Sequence, residues 1–198
     1  MDTTILTLVR HGQTSANTDG VWHGSTDTKL SEEGLRQAQR VAEGIRRRFA
    51  PAAIYASDLE RARLTAEAIG AATAQRVQID PGLREYDLGA WEGRPYRELY
   101  EKEQLWERMS ADPDYAPHGG ESPATVARRV GGTLRAIVDR HRGERVVCVS
   151  HGGAISIGLG VLLDGHHSKW DRLLDNCAVA EVAFSPEARL LTFNESWE

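Results

Sequence analysis

Two histidines occupy matching contexts in this sequence. His11 lies in the segment RHGQT after the apolar run 5–9, and His151 lies in SHGG after the apolar run 146–149. Short runs rich in β-branched residues predict buried strands of a parallel sheet. Ligands in open α/β sheets bind beyond the carboxyl ends of the strands, where an imidazole can serve as a nucleophile or an acid–base group. We therefore expect the two histidines to meet in one site, against the alternative of two separate structural histidines.

Three charged residues also follow predicted strands. Arg10 precedes His11 directly, and Arg61 lies in SDLERA, in the first turn of a predicted helix that follows a predicted strand. A guanidinium can bind two phosphate oxygens at once, assisted by a helix N-terminus. Glu85, in LREYDLG, follows a third predicted strand. By itself, Arg61 would more simply be a surface arginine.

The elements that position these residues alternate between strand and helix. Such alternation predicts an α/β fold, a three-layer α/β/α sandwich with a mainly parallel central sheet. Predicted strands are 5–9, 54–56, 77–79, 146–149, 179–184 and 190–193. Three helices are predicted from their caps and apolar spacing: one after Ser31, one opened by the capping-box pattern 57–60 and running to about 72, and one opened by Ser122 and Pro123 and running to about 141.

The segment from about 88 to 120 interrupts this alternation. It carries several aromatic residues among many charges and ends in a Gly-rich turn. We interpret it as a small inserted cap over one end of the sheet, within a single domain that spans 1–198. Its aromatics either pack the cap onto the sheet or line the substrate pocket, and Trp91, Tyr96 and Trp106 are the candidates for the second role.

Composition excludes some classes of protein. The 198 residues are 40% hydrophobic and 27% charged with a net charge of −5, which does not favour a nucleic-acid partner. No apolar stretch reaches membrane-spanning length and no signal peptide is recognisable, so we expect a cytoplasmic protein with no membrane partner. Cys148 and Cys177 fit buried reduced thiols, and no histidine pair has metal-site spacing, so we expect no metal. The histidines without motif support are His118, His141, His166 and His167.

The full set of segments resembles the histidine phosphatase superfamily, also called phosphoglycerate-mutase-like. RHGQTSAN is similar to that family's first-histidine pattern, and Gly24, Asp27, Leu30, Ser31 and Gly34 match its next segment. SDLERARLTA resembles the second-arginine helix, LREYDLGAWEG the acid segment, GGES a cap boundary, and SHGG the second histidine. The resemblance covers essentially the whole chain in the family's order.

The resemblance implies a mechanism without metal or cofactor. His11 would attack phosphorus through a neutral ring nitrogen, with its other nitrogen protonated and bound to a backbone carbonyl. Arg10, Arg61 and His151, the last as an imidazolium, would surround the phosphoryl oxygens. Glu85 would protonate the leaving alkoxide and later activate water, and a neighbouring phosphate dianion would favour the protonated carboxyl.

The resemblance also implies contacts with the substrate. Asn17 matches a phosphate contact of the family and could donate its amide hydrogens. Gly24 and Gly152 lie in matching segments and are further substrate-binding candidates. His23 occupies a position that often contacts substrate in relatives, and a purely structural role is equally compatible with the sequence.

Three functions remain open within this resemblance. Glu85 and His151 are 66 positions apart, which is short for a mutase, and the insertion mixes basic with acidic residues instead of concentrating positive charge. We therefore favour a phosphatase acting on small phosphomonoesters. The alternatives are a cofactor-dependent phosphoglycerate mutase and an inactive module that binds phosphorylated partners. The sequence leaves the substrate open, and although the family makes a homodimer possible, no patch in the sequence argues for one.

Overall fold

The computed structural model describes residues 3–116, 119–167 and 173–197. His118, one of the histidines without motif support, lies outside the described residues. Within these ranges, no helix combines the length and the apolar character needed to cross a membrane.

The described strands form one six-stranded sheet, and it is mainly parallel, as predicted. Their order is β3-β2-β4-β1-β5-β6. The first four are mutually parallel, whereas β5 is antiparallel to β1 and to β6. The bounds are β1 Thr4–Arg10, β2 Ala53–Ala56, β3 Val77–Ile79, β4 Arg145–Ser150, β5 Val179–Phe184 and β6 Ala188–Glu195.

Helices cover both faces of this sheet, which confirms the three-layer sandwich. The helices are α1 Ser15–Thr18, α2 Glu32–Arg48, α3 Glu60–Thr73, α4 Tyr96–Glu101, α5 Leu105–Ala111, α6 Pro123–Arg140 and α7 Gly152–Leu163, with 3₁₀ turns at Pro81–Leu83 and Gly89–Trp91. Apolar residues of α2 and α3 form one buried cluster with one face of the sheet, and those of α6 and α7 form another with the opposite face. Alternation along the strands supplies both clusters, since Leu8 joins one and Val9 the other.

Two of the three predicted helix starts are confirmed. Ser31 accepts a hydrogen bond from Gly34 N at 3.0 Å, and Ser122 accepts one from Thr125 N at 3.3 Å. The third prediction is wrong, because α3 begins at Glu60 and Ser57 does not cap it. Ser57 N donates to Val149 O at 3.1 Å, so this residue continues the pairing of β2 with β4 and lies too early to cap the helix.

The 88–120 segment packs into the body of the protein through its apolar side chains. Leu88, Leu99, Leu105 and Met109 are at most 1% exposed and belong to the cluster beneath α6 and α7. Helices α4 and α5 are therefore packed firmly against the core, and their aromatic residues lie over the carboxyl end of the sheet.

Candidate active site

The pairing of β1 with β4 brings the two histidines together. Arg10 and Ser150 end these parallel strands in register, and His11 N donates to Ser150 O at 3.0 Å. The rings of His11 and His151, one residue beyond each strand, lie 5.1 Å apart between centroids. This geometry agrees with the expectation that the two histidines lie close together at the carboxyl edge of the sheet.

His11 has the tautomer that a nucleophile needs. Its Nδ1 lies 2.7 Å from the carbonyl oxygen of Gly12, which can only accept, so Nδ1 carries the proton and Nε2 keeps its lone pair. Burial, followed by the charges of Arg61 and Arg10, holds the pKa of His11 well below its usual value of 6.5. The ring is therefore a neutral imidazole at physiological pH.

Arg61 is a completely buried guanidinium held by three acceptors. Its Nε donates to His151 Nδ1 at 3.2 Å, one terminal nitrogen donates to Thr26 O at 2.8 Å, and the other donates to Gly24 O at 2.6 Å. Burial lowers the pKa of Arg61 to about 10, and the charges of Glu85 and other acidic groups oppose that shift. The group keeps its positive charge at neutral pH.

The expected imidazolium form of His151 conflicts with this geometry. Because His151 Nδ1 accepts from Arg61, the ring is neutral and its proton is on Nε2. Burial, followed by the charge of Arg61, holds the pKa of His151 well below 6.5. The buried Nε2 has no hydrogen-bond partner in the described part of the chain, so this ring offers one N–H donor.

The Arg10 guanidinium is bound to a backbone carbonyl through one of its terminal nitrogens. One terminal nitrogen donates to Leu174 O at 2.6 Å, and the buried Nε has no partner among the described residues. A Cβ at Gly152, the first residue of α7, would lie 3.4 Å from Arg10 Nε. The N-terminus of α7 therefore lies beside the guanidinium.

Backbone amides hold both oxygens of the Glu85 carboxylate. Oε1 accepts from Tyr86 N and Ala154 N, both at 2.8 Å, and Oε2 accepts from Gly153 N at 2.9 Å. Two of these donors belong to the first turn of α7, where an anion is favoured by the unpaired amides and the helix dipole. The carboxyl group is thereby fixed in orientation, with only 8% of the residue exposed.

The backbone around Glu85 is held by an arginine that the sequence did not single out. Arg129, on α6, donates to Arg84 O at 2.8 Å and to Glu85 O at 3.2 Å, and it forms a salt bridge with Glu121. On the other side, Ser150 Oγ donates to Leu83 O at 2.7 Å. The Glu85 segment is thus tied to both α6 and β4.

The substrate-binding candidates lie beside these groups. Asn17 Oδ1 accepts from Thr14 N at 3.1 Å and from Asn176 Nδ2 at 3.2 Å, so its own amide hydrogens remain available to a ligand. His23 Nδ1 lies 2.6 Å from Thr28 Oγ1, and its ring centroid lies 5.9 Å from that of His11. Burial, then Arg61 and Arg10, lowers the pKa of His23 to about 3, so this ring is neutral.

Most of these side chains border a cavity of about 390 Å³, whereas Arg61 and His151 are completely buried and are not among its lining residues. Of the three aromatic residues of the 88–120 segment that the sequence singled out, Tyr96 and Trp106 line the cavity. Trp91 does not, and its ring centroid lies 6.5 Å from that of Tyr115. The lining residues are Arg10, His11, Asn17, Trp22, His23, Gly24, Glu85, Tyr96, Trp106, Gly152, Gly153, Leu173 and Asn176. Sequence reasoning missed Trp22, Gly153, Leu173 and Asn176, although the SHGG motif contains Gly153.

Two further features bear on the location of the site. A larger cavity of about 640 Å³ lies between α6 and the β5–β6 hairpin, but none of the sequence-predicted site residues lines it. The described residues contain no group of three or more His, Cys, Asp or Glu side chains arranged to hold a metal ion. The chemistry of this arrangement is instead that of a neutral imidazole, fixed cations and a carboxyl group around one cavity.

Comparisons with known proteins point to one family. The family model described as "Histidine phosphatase superfamily (branch 1)" matches residues 6–196. A "Probable phosphoglycerate mutase GpmB" of Cronobacter sakazakii is 37% identical over 89% of this chain and 83% of its own length. A "Metal-independent phosphoserine phosphatase" of Arabidopsis thaliana is 38% identical over 78% of this chain and 66% of its own. A mutant phosphoserine phosphatase of Entamoeba histolytica in complex with phosphoserine superposes with a TM-score of 0.85 at 30% identity, over 98% of both chains.

Proposed function

Because this chain belongs to the histidine phosphatase superfamily, we propose that it hydrolyses small phosphomonoesters through a phosphohistidine at His11, without a metal ion. One observation carries the proposal. His11 has its Nδ1 proton bound by the carbonyl of Gly12, and its free nitrogen is available in a cavity that the Glu85 carboxyl group also lines. A fixed nucleophile and a proton donor in one cavity are what a two-step phosphoryl transfer requires.

In the first step His11 Nε2 forms a bond to phosphorus as the bond to the ester oxygen breaks. The leaving oxygen takes a proton from the carboxyl group of Glu85, whose protonated form is favoured by the phosphate dianion of the bound substrate. Arg10, Arg61 and the Nε2–H of His151 stabilise the negative charge on the phosphoryl oxygens, which is where charge resides during this transfer. The Nδ1–H···O bond to Gly12 stabilises the positive ring that forms.

In the second step water hydrolyses the phosphohistidine. The Glu85 carboxylate takes a proton from the attacking water, the nitrogen–phosphorus bond breaks, and His11 returns to the neutral form. The amide donors to both carboxylate oxygens keep the same group in place for both steps. In this proposal the 88–120 segment serves as the active-site cap.

The charges of the cap support hydrolysis over mutase chemistry. A mutase must also hold the second phosphate of its bisphosphate intermediate, which requires available cations. Three cap cations are already paired with cap carboxylates: Arg94 with Glu98 and Glu103, Arg97 with Glu101, and Lys102 with Glu98. The similarity to a probable phosphoglycerate mutase keeps a cofactor-dependent mutase as the second candidate. An inactive phosphate-binding module is the third candidate.

Inorganic phosphate release from a panel of phosphomonoesters in EDTA tests the proposal. The panel contains p-nitrophenyl phosphate, phosphoserine, 3-phosphoglycerate, sugar phosphates and α-ribazole phosphate. We expect EDTA-resistant release by the wild type and a loss of at least about 10⁴-fold in His11→Ala, because removing the nucleophile removes the covalent route. Circular dichroism of the variant checks that the fold is retained.

Two results would contradict the proposal. A His11→Ala variant with wild-type turnover would exclude the phosphohistidine. An absence of release from every ester, with interconversion of 2- and 3-phosphoglycerate when bisphosphoglycerate is added, would establish the mutase instead. Phosphate binding without either reaction would establish the inactive module.

A further inference from the structure

The position of the Arg61 guanidinium depends on the loop 23–28. Two of its three hydrogen bonds go to backbone carbonyls of this loop, at Gly24 and Thr26. Arg61 is completely buried, and a long side chain of this kind holds a fixed orientation only when acceptors surround its planar group. The loop therefore helps to fix the position of the guanidinium, which the proposed mechanism assigns to the transferring phosphoryl group.

Glu92, at the beginning of the cap, binds this loop through both carboxylate oxygens. Its Oε1 accepts from Ser25 N at 2.7 Å and from Ser25 Oγ at 2.9 Å. Its Oε2 accepts from Thr26 N at 2.9 Å and also from Thr26 Oγ1. Hydrogen bonds to a charged acceptor are the strong ones, and four of them leave the loop little freedom.

The backbone is shaped for this contact. Gly24 has a φ of +45°, and a Cβ at this residue would overlap Glu92 Oε1. The loop and the cap are also joined by backbone bonds, from Gly93 N to Trp22 O at 2.7 Å and from Trp22 N to Arg94 O at 3.0 Å. Glu92 itself is not among the residues that line the cavity, so it acts on the site through the loop.

We propose that Glu92 is a positioning residue for phosphoryl transfer, which holds the Gly24 and Thr26 carbonyls so that Arg61 is fixed beside His11 and His151. The inference rests on the proposed function for its consequence in catalysis. It links the cap to the phosphate site through named bonds: Glu92 to Ser25 and Thr26, the loop carbonyls to Arg61, and Arg61 Nε to His151 Nδ1.

Glu92→Gln is the sharpest substitution. The amide keeps the size of the side chain and one acceptor oxygen, but its NH₂ group faces donors where the second oxygen was, so half of the contact with the loop is lost. Removing a negative charge near Arg61 would by itself strengthen the binding of an anion. A loss of transition-state binding in this variant therefore has to come from the position of the guanidinium.

The first readout is the steady-state kinetics of p-nitrophenyl phosphate hydrolysis in EDTA. We expect kcat to fall between about 10- and 100-fold with KM changed less than about threefold, because a displacement of about 1 Å at a catalytic group has effects of this size. Glu101→Gln is the matched control, since it removes a cap carboxylate whose one ion-pair partner among the described residues is the exposed Arg97. It should retain wild-type kcat.

A double-mutant cycle separates positioning from a general structural role. In an Arg61→Ala background, Glu92→Gln should cost less than about twofold further, because the group it positions is gone. The inference would be overturned if the kcat losses of the two single variants multiplied in the double variant. It would also be overturned if Glu101→Gln lost as much kcat as Glu92→Gln. If Glu92→Gln does not fold, Ser25→Ala removes one hydroxyl donor and is put through the same cycle with a smaller expected loss.

Orthovanadate binding keeps the two proposals distinguishable. Trp22 and Trp106 line the cavity, so their fluorescence reports occupancy without turnover. Weaker vanadate binding in Glu92→Gln than in Glu101→Gln supports the positioning role even if the wild type hydrolyses no ester, an outcome that would sink only the proposed function. Equal vanadate affinity in both variants, with an active wild type, would overturn the positioning role alone.

Discussion

The floor and the wall of the cavity are built by different physical means. The floor consists of Arg10, His11 and Glu85, which line the cavity, and of the buried Arg61 and His151 next to them. Hydrogen bonds of 2.6–3.2 Å join each of these residues to carbonyls, amides or one another. The wall consists of Trp22, Tyr96 and Trp106, and its rings meet edge to face, with Trp22 5.4 Å from each of the other two.

This difference separates orientation from shape. Hydrogen bonds are directional, so the floor fixes where a proton and a lone pair lie. Apolar contacts are not directional, so other side chains of similar volume could rebuild the wall without disturbing the floor. The floor should therefore determine the rate of the chemical step and the wall the choice of ester.

Among the floor residues other than the nucleophile, Glu85→Gln should produce the largest effect. We expect the first step with alkyl phosphates to slow by about 10²- to 10³-fold, because general acid catalysis contributes this much to expelling a poor leaving group. With p-nitrophenyl phosphate the nitrophenol burst should slow far less, since that leaving group needs no proton. Rapid-quench and stopped-flow measurements give the two rates, and equal losses on both esters would exclude Glu85 as the proton donor.

Trp106→Ala should act on KM and leave the chemistry intact. Opening the wall removes contacts with the leaving group, so we expect KM for the best ester to rise about tenfold, the equivalent of one moderate apolar contact. The kcat for p-nitrophenyl phosphate should change less than about threefold, because no floor group is touched. A large loss of kcat on every ester would remove the distinction between floor and wall.

A smaller effect concerns stability and pH at the boundary between the two regions, where His23 lies. His23 is neutral in the folded protein because its pKa is lowered to about 3, and its usual value is 6.5. The unfolded chain therefore binds an extra proton below pH 6.5, so this stabilisation is complete above pH 6.5 and is lost as the pH falls toward 3. Buried His11 and His151 contribute with the same sign.

Urea unfolding between pH 7 and pH 5 measures this effect. We expect the free energy of unfolding to fall with decreasing pH, with a slope approaching about 1.4 kcal/mol per pH unit for each such histidine. His23→Asn should reduce this slope by the contribution of one histidine, about 1.4 kcal/mol per pH unit. An unchanged slope would show that His23 is not held neutral in the folded protein.

Much of the fold was predictable because its signals are local. The strands and the caps at Ser31 and Ser122 follow from short-range periodicity and side-chain hydrogen bonding, and the structure confirms them. The start of α3 was not predictable, since the capping pattern at Ser57 competes with sheet pairing to Val149, and that contact joins residues 92 positions apart.

All five floor residues were candidates from the sequence, where His11 and His151 follow directly on strands and Arg61 lies in the first turn of the helix after one. The wall was found only in part: Tyr96 and Trp106 were candidates, but Trp91 faces elsewhere and Trp22 was missed. Two lining residues outside the floor and the wall, Leu173 and Asn176, were also missed. These residues come from distant segments, and no local pattern records that Asn176 donates to His11 O at 3.1 Å.

The sequence by itself determined the family of the chain, the order of its elements and the identity of the charged groups at the strand ends, because each is written in contiguous residues. Only the tertiary structure decided the protonation state of His151, the position of the Arg61 guanidinium and the contact between Glu92 and the loop 23–28. The physical reason is that a pKa and a hydrogen-bond direction depend on burial and on partners brought together by folding. Arg61 Nε and His151 Nδ1 are 90 positions apart in sequence and 3.2 Å apart in space.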